Sequence, residues 1–470
     1  MKTTMANEHV SAFGVFAMFA GSLVTCAPVM ATVTYTYEND NKTLVATVTD
    51  ADTALTTSAA DQAWFTNYAI TNFVKRGGYS LNVWESVANS FSGDIRIEGN
   101  RLLFYANALG INRAQGKIQI HNGDLVHGGN NKVVTIAKDI EFGYGGGWDA
   151  RSFQVWENRV AFVTGKITIG DRNARIMAYK NGSLTISGGI EDPPAGDKGF
   201  LYLGAYGGAT MTITETPINI TNPLYFIWTA DSTKYDEQGF LGYYAFGAPG
   251  NNMKALGWTA NGTRYGIGNI KVSTTADWAF NSSNMKVYFD NAGVFDLYGT
   301  SQRVGQLDVE ASAGNASVVT NSIAEPATFH MGMMYAPKNG IPNIRFGGNL
   351  SVVFENNIFN TVVDHEMTAV GGLVMDAAGT LSFTENGSWA NATNVTVSGS
   401  GKITVANPNA FGRKARVNLK SSSSLEIASG VTVHVKTLTV DGVLQQAGDY
   451  TFGDGTLSVS HPCGLMLSFR

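Results

Sequence analysis

Cysteine and charged residues are scarce in this sequence. Its 470 residues include two cysteines, and only 15% are charged. Two cysteines cannot form the disulfide framework that holds many small secreted domains together. The 32 basic and 37 acidic residues give a net charge of -5, and no run of Lys or Arg offers the positive surface that nucleic acid requires. We therefore expect no nucleic-acid partner, and a fold stabilised by packing and backbone hydrogen bonds.

Long apolar runs are also lacking, except near the N terminus. Lys2 precedes an apolar stretch from Ala12 to Val24, and Val29-Met30-Ala31 is typical of a signal-peptide cleavage site. We predict a signal peptide over residues 1–31, a mature chain that begins at Thr32 and an extracellular or cell-surface location. An uncleaved or lipidated N terminus is the alternative. No later segment reaches the roughly 20 consecutive apolar residues that span a bilayer, so we expect no transmembrane span in the mature chain.

Glycine, in contrast, is abundant, and it is often followed by alternating polar and apolar residues. A glycine followed by strict alternation predicts a turn and then a short strand with one buried face. Several copies are separated by one or two lengths of roughly 20 to 30 residues, the size of a solenoid coil. We therefore predict an all-β solenoid. The ten copies are GDIRI at Gly93, GKIQI at Gly116, GKITI at Gly165, GSLTI at Gly182, GNIKV at Gly268, GQLDV at Gly305, GNLSV at Gly348, GTLSF at Gly379, GKITV at Gly401 and GTLSV at Gly455.

The residues that precede the first glycine motif predict a cap for the solenoid. Residues 32–48 alternate on both sides of an Asn-Asp-Asn turn, which indicates a hairpin. Residues 61–74 place Phe65, Ala69 and Phe73 at helical spacing and are predicted to form a helix over the first coil. The predicted organisation is a signal peptide (1–31), an N-terminal hairpin and helix cap (32–80), a β-helix (81–460) with an aromatic-rich central part (about 201–288), and a C-terminal tail (461–470).

Two segments resemble a known family. Asn291 to Val309 (NAGVFDLYGTSQRVGQLDV) and Gly399 to Val459 (with GSGKITVANPNAFG and LTVDGVLQQAGDYTFGDGTLSV) are similar to passenger domains built from autotransporter-associated β-strand repeats. The resemblance implies a right-handed parallel β-helix carried outside the cell, with a role in adhesion or as a surface scaffold. Such proteins end in a transmembrane barrel, which the final HPCGLMLSFR cannot build. We therefore expect a free β-helix of this repeat type.

Catalytic chemistry is weakly represented in the sequence. Polysaccharide lyases and hydrolases on parallel β-helices carry acids and bases on one sheet face, but the chain has no Gly-His-Gly, Arg-Ile-Lys or paired Asp-Asp motif. Asp364-His365-Glu366 is the densest cluster of acid and base groups. It follows the apolar Thr361-Val362-Val363, so a solvated turn is favoured over a catalytic site. We predict no catalytic residues.

Metal chemistry has two weak signals. His121, Asp124 and His127 share one segment, but their spacing is not diagnostic of a metal site. Gly143 to Asp149 (GYGGGWD) resembles one copy of a calcium-binding repeat, which requires tandem copies to complete a coordination shell. We therefore predict no metal ion and no cofactor.

The aromatic-rich part contains the residues best suited to recognition. Trp228, Tyr243, Tyr244 and Trp258 are predicted to contact a glycan or another surface protein, because flat rings pack against sugar faces. The alternative is that these rings fill the solenoid core. The expected function is a non-catalytic cell-surface scaffold or adhesin that is able to bind glycans. The alternative function is a polysaccharide lyase or glycoside hydrolase on the same fold, which a groove with converging carboxylates would favour.

Overall fold

The computed structural model is nearly all β, with 53% strand and 3% helix, and its parallel stacked sheets form a β-solenoid of about 14 turns. The predicted parallel β-helix is therefore confirmed. The chain divides into two compact units, unit 1 (1–222 with 231–236) and unit 2 (223–230 with 237–470). The structure describes residues 2–8, 32–38, 41–56, 58–129, 133–143, 151–171, 173–227, 234–257, 259–260, 263–264, 266–290, 292–309, 317–335, 344–357, 361–398, 400–421 and 424–460.

The described residues of unit 1 form short strands, an α-helix and a 3-10 turn at Ala108–Gly110. The elements are β1 Lys2–Glu8, β2 Thr32–Glu38, β3 Thr43–Val48, β4 Thr53–Leu55, α1 Ala59–Asn67, β5 Asn72–Arg76, β6 Leu81–Val83, β7 Asp94–Ile97, β8 Arg101–Phe104, β9 Lys117–Ile120, β10 Gly123–His127, β11 Val133–Ile136, β12 Asp139–Phe142, β13 Arg151–Val155, β14 Val160–Val163, β15 Ile167–Thr168, β16 Ala174–Ala178, β17 Ser183–Ile186, β18 Ile190–Glu191, β19 Leu201–Ala205, β20 Ala209–Ile213 and β21 Ile218–Asn219.

Three stacked sheets form the wall of unit 1. The first runs β1-β2-β3-β5-β7-β9-β12-β15-β18-β21, the second contains β4-β6-β8-β10-β13-β16-β19, and the third contains β11-β14-β17-β20. Pairing is parallel from β3 onward, so equivalent positions of successive coils stack in columns. One inward column of the first sheet is almost entirely isoleucine, and each member buries apolar area worth about 1.5 to 3 kcal/mol. Its members are Phe73, Ile95, Ile118, Ile140, Ile167, Ile190 and Ile218.

The cap has the predicted hairpin and a shorter helix than predicted. β2 and β3 pair in antiparallel register, and α1 begins after Ser58, whose side chain caps the Asp61 amide. The Trp64 ring of α1 packs 5.5 Å from the Tyr35 ring of β2. The prediction of helix up to residue 74 is wrong, because Phe73 lies in strand β5 between Leu44 and Ile95. Among the described residues, no helix has the length and apolar character needed to cross a membrane.

Unit 2 is a second stack of strands. The elements are β22 Leu224–Phe226, β23 Gly242–Phe246, β24 Ala255–Leu256, β25 Thr259–Ala260, β26 Thr263–Arg264, β27 Lys271–Thr274, β28 Asn281–Phe289, β29 Val294–Asp296, β30 Gln302–Val309, β31 Ser317–Asn321, β32 Ala327–Tyr335, β33 Ile344–Gly348, β34 Leu350–Asn357, β35 Thr361–Val363, β36 Gly372–Phe383, β37 Asn394–Val397, β38 Gly401–Val405, β39 Arg416–Leu419, β40 Ser424–Ile427, β41 Thr432–Val435, β42 Thr437–Val440, β43 Val443–Leu444, β44 Gly448–Phe452 and β45 Gly455–Val459.

The strands of unit 2 are again mostly parallel. One stack runs β28-β30-β32-β34-β36-β37-β39-β42, and another runs β23-β27-β29-β31-β33. β36 is long enough to belong to two sheets, since its first half pairs with β34 and β37 and its second half with β35 and β38. Antiparallel pairing returns at β42–β43 and β44–β45. The alternation read from the sequence is followed at β41, where Val433 and Val435 are buried and His434 is exposed.

Close backbone contact explains the glycine motifs. At Gly165, a Cβ atom would lie 2.2 Å from the carbonyl oxygen of Lys138 in the preceding coil, far inside van der Waals contact. Most of the ten motif glycines have a carbonyl oxygen at a similar distance, so a side chain would clash there, and Gly116 and Gly348 also have a positive φ, which favours glycine. The motif glycines with such a contact are Gly93, Gly116, Gly165, Gly182, Gly305, Gly348 and Gly455.

A buried lysine uses carbonyl groups at these crowded turns. Lys138 is fully buried and donates hydrogen bonds through Nζ to the carbonyl oxygens of Gly93 and Gln115, which lie in the two preceding coils. Burial lowers the pKa of Lys138 to about 8, although the nearby Asp94 charge opposes the shift. The side chain thus ties three coils together through their backbone carbonyl groups.

Candidate functional site

The predicted recognition residues do not form one surface in the described structure. Trp228 and Trp258 lie outside the described residues. Tyr243 is half-buried, and its hydroxyl donates to Oε1 of Gln238 at 3.0 Å. Tyr244 is 1% exposed and packs edge-to-face on Phe226 with ring centroids 4.7 Å apart. Tyr244 is therefore a core residue, and the core alternative applies to it.

The Asp364-His365-Glu366 segment is a turn bound to its neighbouring coils. Asp364 accepts a hydrogen bond from Oγ1 of Thr384, in the following coil. His365 donates through Nε2 to the carbonyl oxygen of Ile344 at 2.6 Å, in the preceding coil. Glu366 follows in an isolated bridge to Ser388. These contacts support the structural interpretation, since the acid and base groups serve the coil stack.

The described residues do not bring His121, Asp124 and His127 together as a metal site. Asp124 accepts a hydrogen bond from Oγ of Ser152 at 2.5 Å, and the buried His127 ring stacks on Phe104 with centroids 5.5 Å apart. Within the part of the chain that the structure describes, no three His, Cys, Asp or Glu side chains are grouped so as to hold a metal ion. Most of the Gly143 to Asp149 segment, residues 144–149, lies outside the described residues.

A polar groove lies on the first sheet of unit 1. Its volume is about 630 Å³. Outward side chains of β9, β12, β15, β18 and β21 form its floor, because the inward positions of these strands carry the isoleucine column. The loop after β18 supplies the remaining wall. The lining residues are Lys117, Asp139, Ile140, Glu141, Lys166, Thr168, Glu191, Asp192, Pro193, Pro194, Lys198, Asn219 and Thr221.

Opposite charges pair across the coils of this groove. The Pro193-Pro194 loop lies at the groove edge. All three lysines of the lining contact a carboxylate; two of these ion pairs join side chains of successive coils, and the third lies within the loop after β18. The pairs are Lys117 Nζ with Glu141 Oε2 at 2.7 Å, Lys166 Nζ with Glu191 Oε1 at 2.7 Å, and Lys198 Nζ with Asp192 Oδ2 at 3.3 Å.

Asp139 has a different role in the groove. Its Oδ1 accepts a hydrogen bond from the backbone amide of Lys166, one coil further on, at 2.8 Å. Asp94 makes the same contact with the amide of Lys117 at 2.9 Å. The two aspartates occupy equivalent positions at the start of their strands. Each therefore holds the backbone at the start of the next strand of the sheet in place. The groove floor is thus positioned by backbone contacts as well as by ion pairs.

The ion pairs keep the groove charged at neutral pH. Burial disfavours the charged form of Glu141, but hydrogen bonds from Lys117 and Gln119 and the Lys117 charge outweigh burial and hold the pKa of Glu141 below its ordinary value. The hydrogen bonds to Glu141 and Glu191 raise the pKa values of Lys117 and Lys166, respectively. The groove therefore presents fixed carboxylate acceptors and ammonium donors.

Glu141 and Glu191 lie in one column, with Thr168 between them. Two coil spacings separate their backbones by roughly 10 Å. This separation is close to that of the two carboxyl groups in inverting glycoside hydrolases, where one group must carry a proton. Here Glu141 is held ionised and Glu191 is paired with Lys166. The arrangement suits hydrogen bonding to a ligand better than proton transfer to it.

Unit 2 carries a second polar cluster, which the sequence did not reveal. Arg303 pairs with Glu355 through Nε and Nη2 and donates to Oδ1 of Asn281 at 3.2 Å. His330 Nδ1 lies 3.2 Å from Glu355 Oε2. The Arg303 guanidinium also lies over the Trp278 ring, 5.5 Å from its centroid. Because Glu355 is already engaged by Arg303, this cluster serves as a brace across successive coils.

Comparison of the chain with known protein families, curated proteins and solved structures finds no match. The fold is therefore assigned from the structure, and the function is inferred from the geometry of the protein's surfaces. Sequence reasoning missed the groove because its charged residues are separated by whole coils. One signal was present: Lys117 and Lys166 each directly follow a motif glycine, and so occupy the same polar position of the repeat.

Proposed function

We propose that this protein is an exported, non-catalytic β-helix that acts as a cell-surface scaffold or adhesin and binds a polysaccharide in the unit 1 groove. The observation that carries the proposal is the ion pairing of lysines and carboxylates within that groove. Side chains fixed in this way present hydrogen-bonding groups at intervals of about 4.8 Å, the spacing of parallel strands. A polymer that repeats its hydroxyl groups along its length fits such a floor.

The charge balance of the groove favours a ligand with little net charge. Three lysines face four carboxylates, so neither a polyanion nor a polycation gains a strong electrostatic attraction. Sugar hydroxyl groups, in contrast, both donate and accept hydrogen bonds. Charge-assisted hydrogen bonds to fixed carboxylate and ammonium groups are about twice as strong as neutral ones. A neutral polysaccharide is therefore the ligand class that the groove supports best.

The enzymatic alternative requires a proton donor. A glycoside hydrolase uses one carboxylic acid whose pKa is raised, so that it can protonate the leaving group. The contacts of Glu141 shift its pKa in the opposite direction. The roughly 10 Å spacing of Glu141 and Glu191 favours this alternative on distance alone, and the assay below separates the two functions.

The groove is tested by scoring purified protein for binding and for cleavage on a panel of neutral and acidic polysaccharides. We expect wild type to bind a neutral polymer without releasing new reducing ends, and Glu141→Gln with Glu191→Gln to weaken binding about tenfold or more. The matched control is Lys402→Gln with Glu426→Gln, which removes an exposed pair of 2.6 Å between coils of unit 2. Cleavage by wild type that the groove variant loses would establish the enzyme instead.

The same assay has a defined pH dependence. A carboxylate whose pKa is lowered in the folded protein keeps its interactions above its ordinary pKa and loses them as pH falls through the lowered value. The ordinary pKa of Glu141 is 4.5. Binding should therefore be constant between about pH 6 and 8 and should weaken only once the pH falls below the ordinary pKa. A rise in binding at acid pH would contradict ionised groove carboxylates.

Export is proposed from the N-terminal sequence, whose apolar stretch lies outside the described residues. Cleavage after Ala31 would give a mature chain that begins at Thr32, the first residue of β2. Intact-mass measurement of protein recovered from the exported fraction is expected to give this terminus. A retained Met1, or a lipid on Cys26, would show that the chain is anchored or retained rather than released.

A further inference from the structure

Aromatic side chains recur at one outward position of the second sheet of unit 1. The position is the residue that directly follows each strand of β6, β8, β13, β16 and β19. The strand registers place these residues in one column, and at β10 the column holds Gly128. We call this column the aromatic ladder; its members are Trp84, Tyr105, Trp156, Tyr179 and Tyr206.

Backbone hydrogen bonds confirm that the ladder positions are equivalent. The amide of each member donates to the carbonyl oxygen of the last strand residue of the preceding coil, at 2.9 to 3.1 Å. The acceptors are Leu55, Val83, His127, Val155 and Ala178. The side chains therefore project from the same position in each coil. In neighbouring coils they are one strand spacing, about 4.8 Å, apart.

The rings of the ladder are ordered by contacts with one another and with the sheet. Trp84 and Tyr105 stack with centroids 5.9 Å apart and planes at 14°, and Tyr179 and Tyr206 stack at 5.6 Å and 27°. Trp156 lies against Gly128, where a Cβ atom would be 2.7 Å from the indole ring. Because Gly128 has no side chain, the Trp156 ring has room to lie on the sheet surface there.

These rings are on the surface, unlike the core aromatics. Trp84 is 52% exposed and the other four members are half-buried. Stacking stabilises each pair by about 0.5 to 1.5 kcal/mol, which explains the order of the rings but not the alignment of five partly exposed rings on one sheet face. A row of partly exposed aromatic rings on one face is typical of an interaction site.

Polar groups are interleaved with the ladder. The Trp156 indole N–H points to Oε1 of Gln154 at 3.4 Å, and the Arg101 guanidinium lies 5.3 Å from the Trp156 ring centroid. Burial raises the pKa of Tyr206 to about 12, so its hydroxyl stays protonated and able to donate. Beside the ladder, Lys180 and Glu157 form an exposed ion pair of 3.1 Å.

We propose that the aromatic ladder is a second carbohydrate-binding surface, which takes a linear polysaccharide chain along the coils of unit 1. Pyranose rings present apolar C–H faces to aromatic rings and hydroxyl groups to the polar side chains between them, and the ladder offers both at a repeating interval. A membrane surface would favour clustered Lys and Arg, and the charged pair beside the ladder is balanced. The inference deepens the proposed function, on which it rests.

The ladder is tested with the triple variant Trp84→Ala, Tyr105→Ala and Tyr179→Ala. If each ring contributes about 1 kcal/mol, the affinity for the polysaccharide identified with wild type should fall about a hundredfold. The matched control is Phe162→Ala with Tyr298→Ala, since these aromatic residues are 40% and 48% exposed outside the ladder. The melting temperature is measured for each variant, and Trp84→Phe with Tyr179→Phe, which keep the rings, should retain most of the binding.

The outcomes separate the ladder from the groove. Loss of binding in the triple variant and in neither the control nor the ring-retaining variant supports the ladder. Loss only in Glu141→Gln with Glu191→Gln overturns the ladder and leaves the proposed function intact. A wild type that binds no polysaccharide overturns both. Binding to lipid vesicles, or self-association measured by analytical ultracentrifugation, that the triple variant abolishes without any effect on polysaccharide would overturn the carbohydrate assignment.

Discussion

Replacing Val433 with Asp is expected to reduce the free energy of unfolding of unit 2 by about 4 kcal/mol, a severe effect for one substitution. Val433 is fully buried in β41 and pairs with Leu457 of β45. A carboxylate at this inward position would be buried without a partner, and the cost of removing it from water greatly exceeds the lost apolar contact. Leu438→Asp in β42 should behave alike, because Leu438 is also fully buried.

His434→Asp and Thr439→Asp are the matched controls, since each follows one of these residues and faces away from the core. His434 is exposed and Thr439 is half-buried. Both controls should change stability by less than about 1 kcal/mol. Urea denaturation followed by circular dichroism measures all four variants. Equal losses in the inward and outward pairs would mean that the register of these strands is wrong.

Gly165→Ala is expected to destabilise unit 1 by about 3 kcal/mol. The added Cβ would lie 2.2 Å from the carbonyl oxygen of Lys138, a backbone atom that cannot move without shifting its coil. The same turn holds the ammonium group of Lys138 against carbonyl groups of two further coils, so a shift there disturbs several hydrogen bonds at once. Thermal unfolding should show a lower midpoint for this variant.

Gly78→Ala provides the comparison for this prediction. No atom lies within 4 Å of a Cβ built at Gly78, so the substitution adds a methyl group in open space. It should be neutral or slightly stabilising, because alanine reduces the conformational entropy of the unfolded chain. If Gly165→Ala proves as mild as Gly78→Ala, then coils can separate at their turns at little cost, and the close-approach explanation of the glycine motifs fails.

Local periodicity predicted strands well and the helix boundary poorly. The motif GDIRI at Gly93 predicts a strand with buried isoleucines, and β7 has that burial pattern. The helical spacing of Phe65, Ala69 and Phe73 gave the right element type but an end beyond Asn67. Phe73 belongs instead to the first inward column, because pairing with β3 and β7 outweighs a weak local preference for helix.

The two proposed recognition surfaces could not be predicted from composition. The sequence drew attention to a block of aromatic residues, but Tyr244 of that block is in the core, whereas Trp84 and Tyr105 of the ladder precede the block. Tyr206 belongs to both the block and the ladder. Aromatic content does not distinguish inward from outward positions when the strand ends are unknown, because a shift of one residue moves a side chain to the other face.

The sequence by itself determined that this chain forms short strands separated by tight turns, because glycine followed by alternating residues is a local signal. It also determined the inward face of β41, where alternation requires no knowledge of a partner strand. Only the tertiary structure decided which residues meet across coils. Lys117 and Glu141 become neighbours, and Trp84 stacks on Tyr105, through the register between strands. Coil length varies, so that register is set by packing of the inward columns over the whole stack and is not written in any local segment.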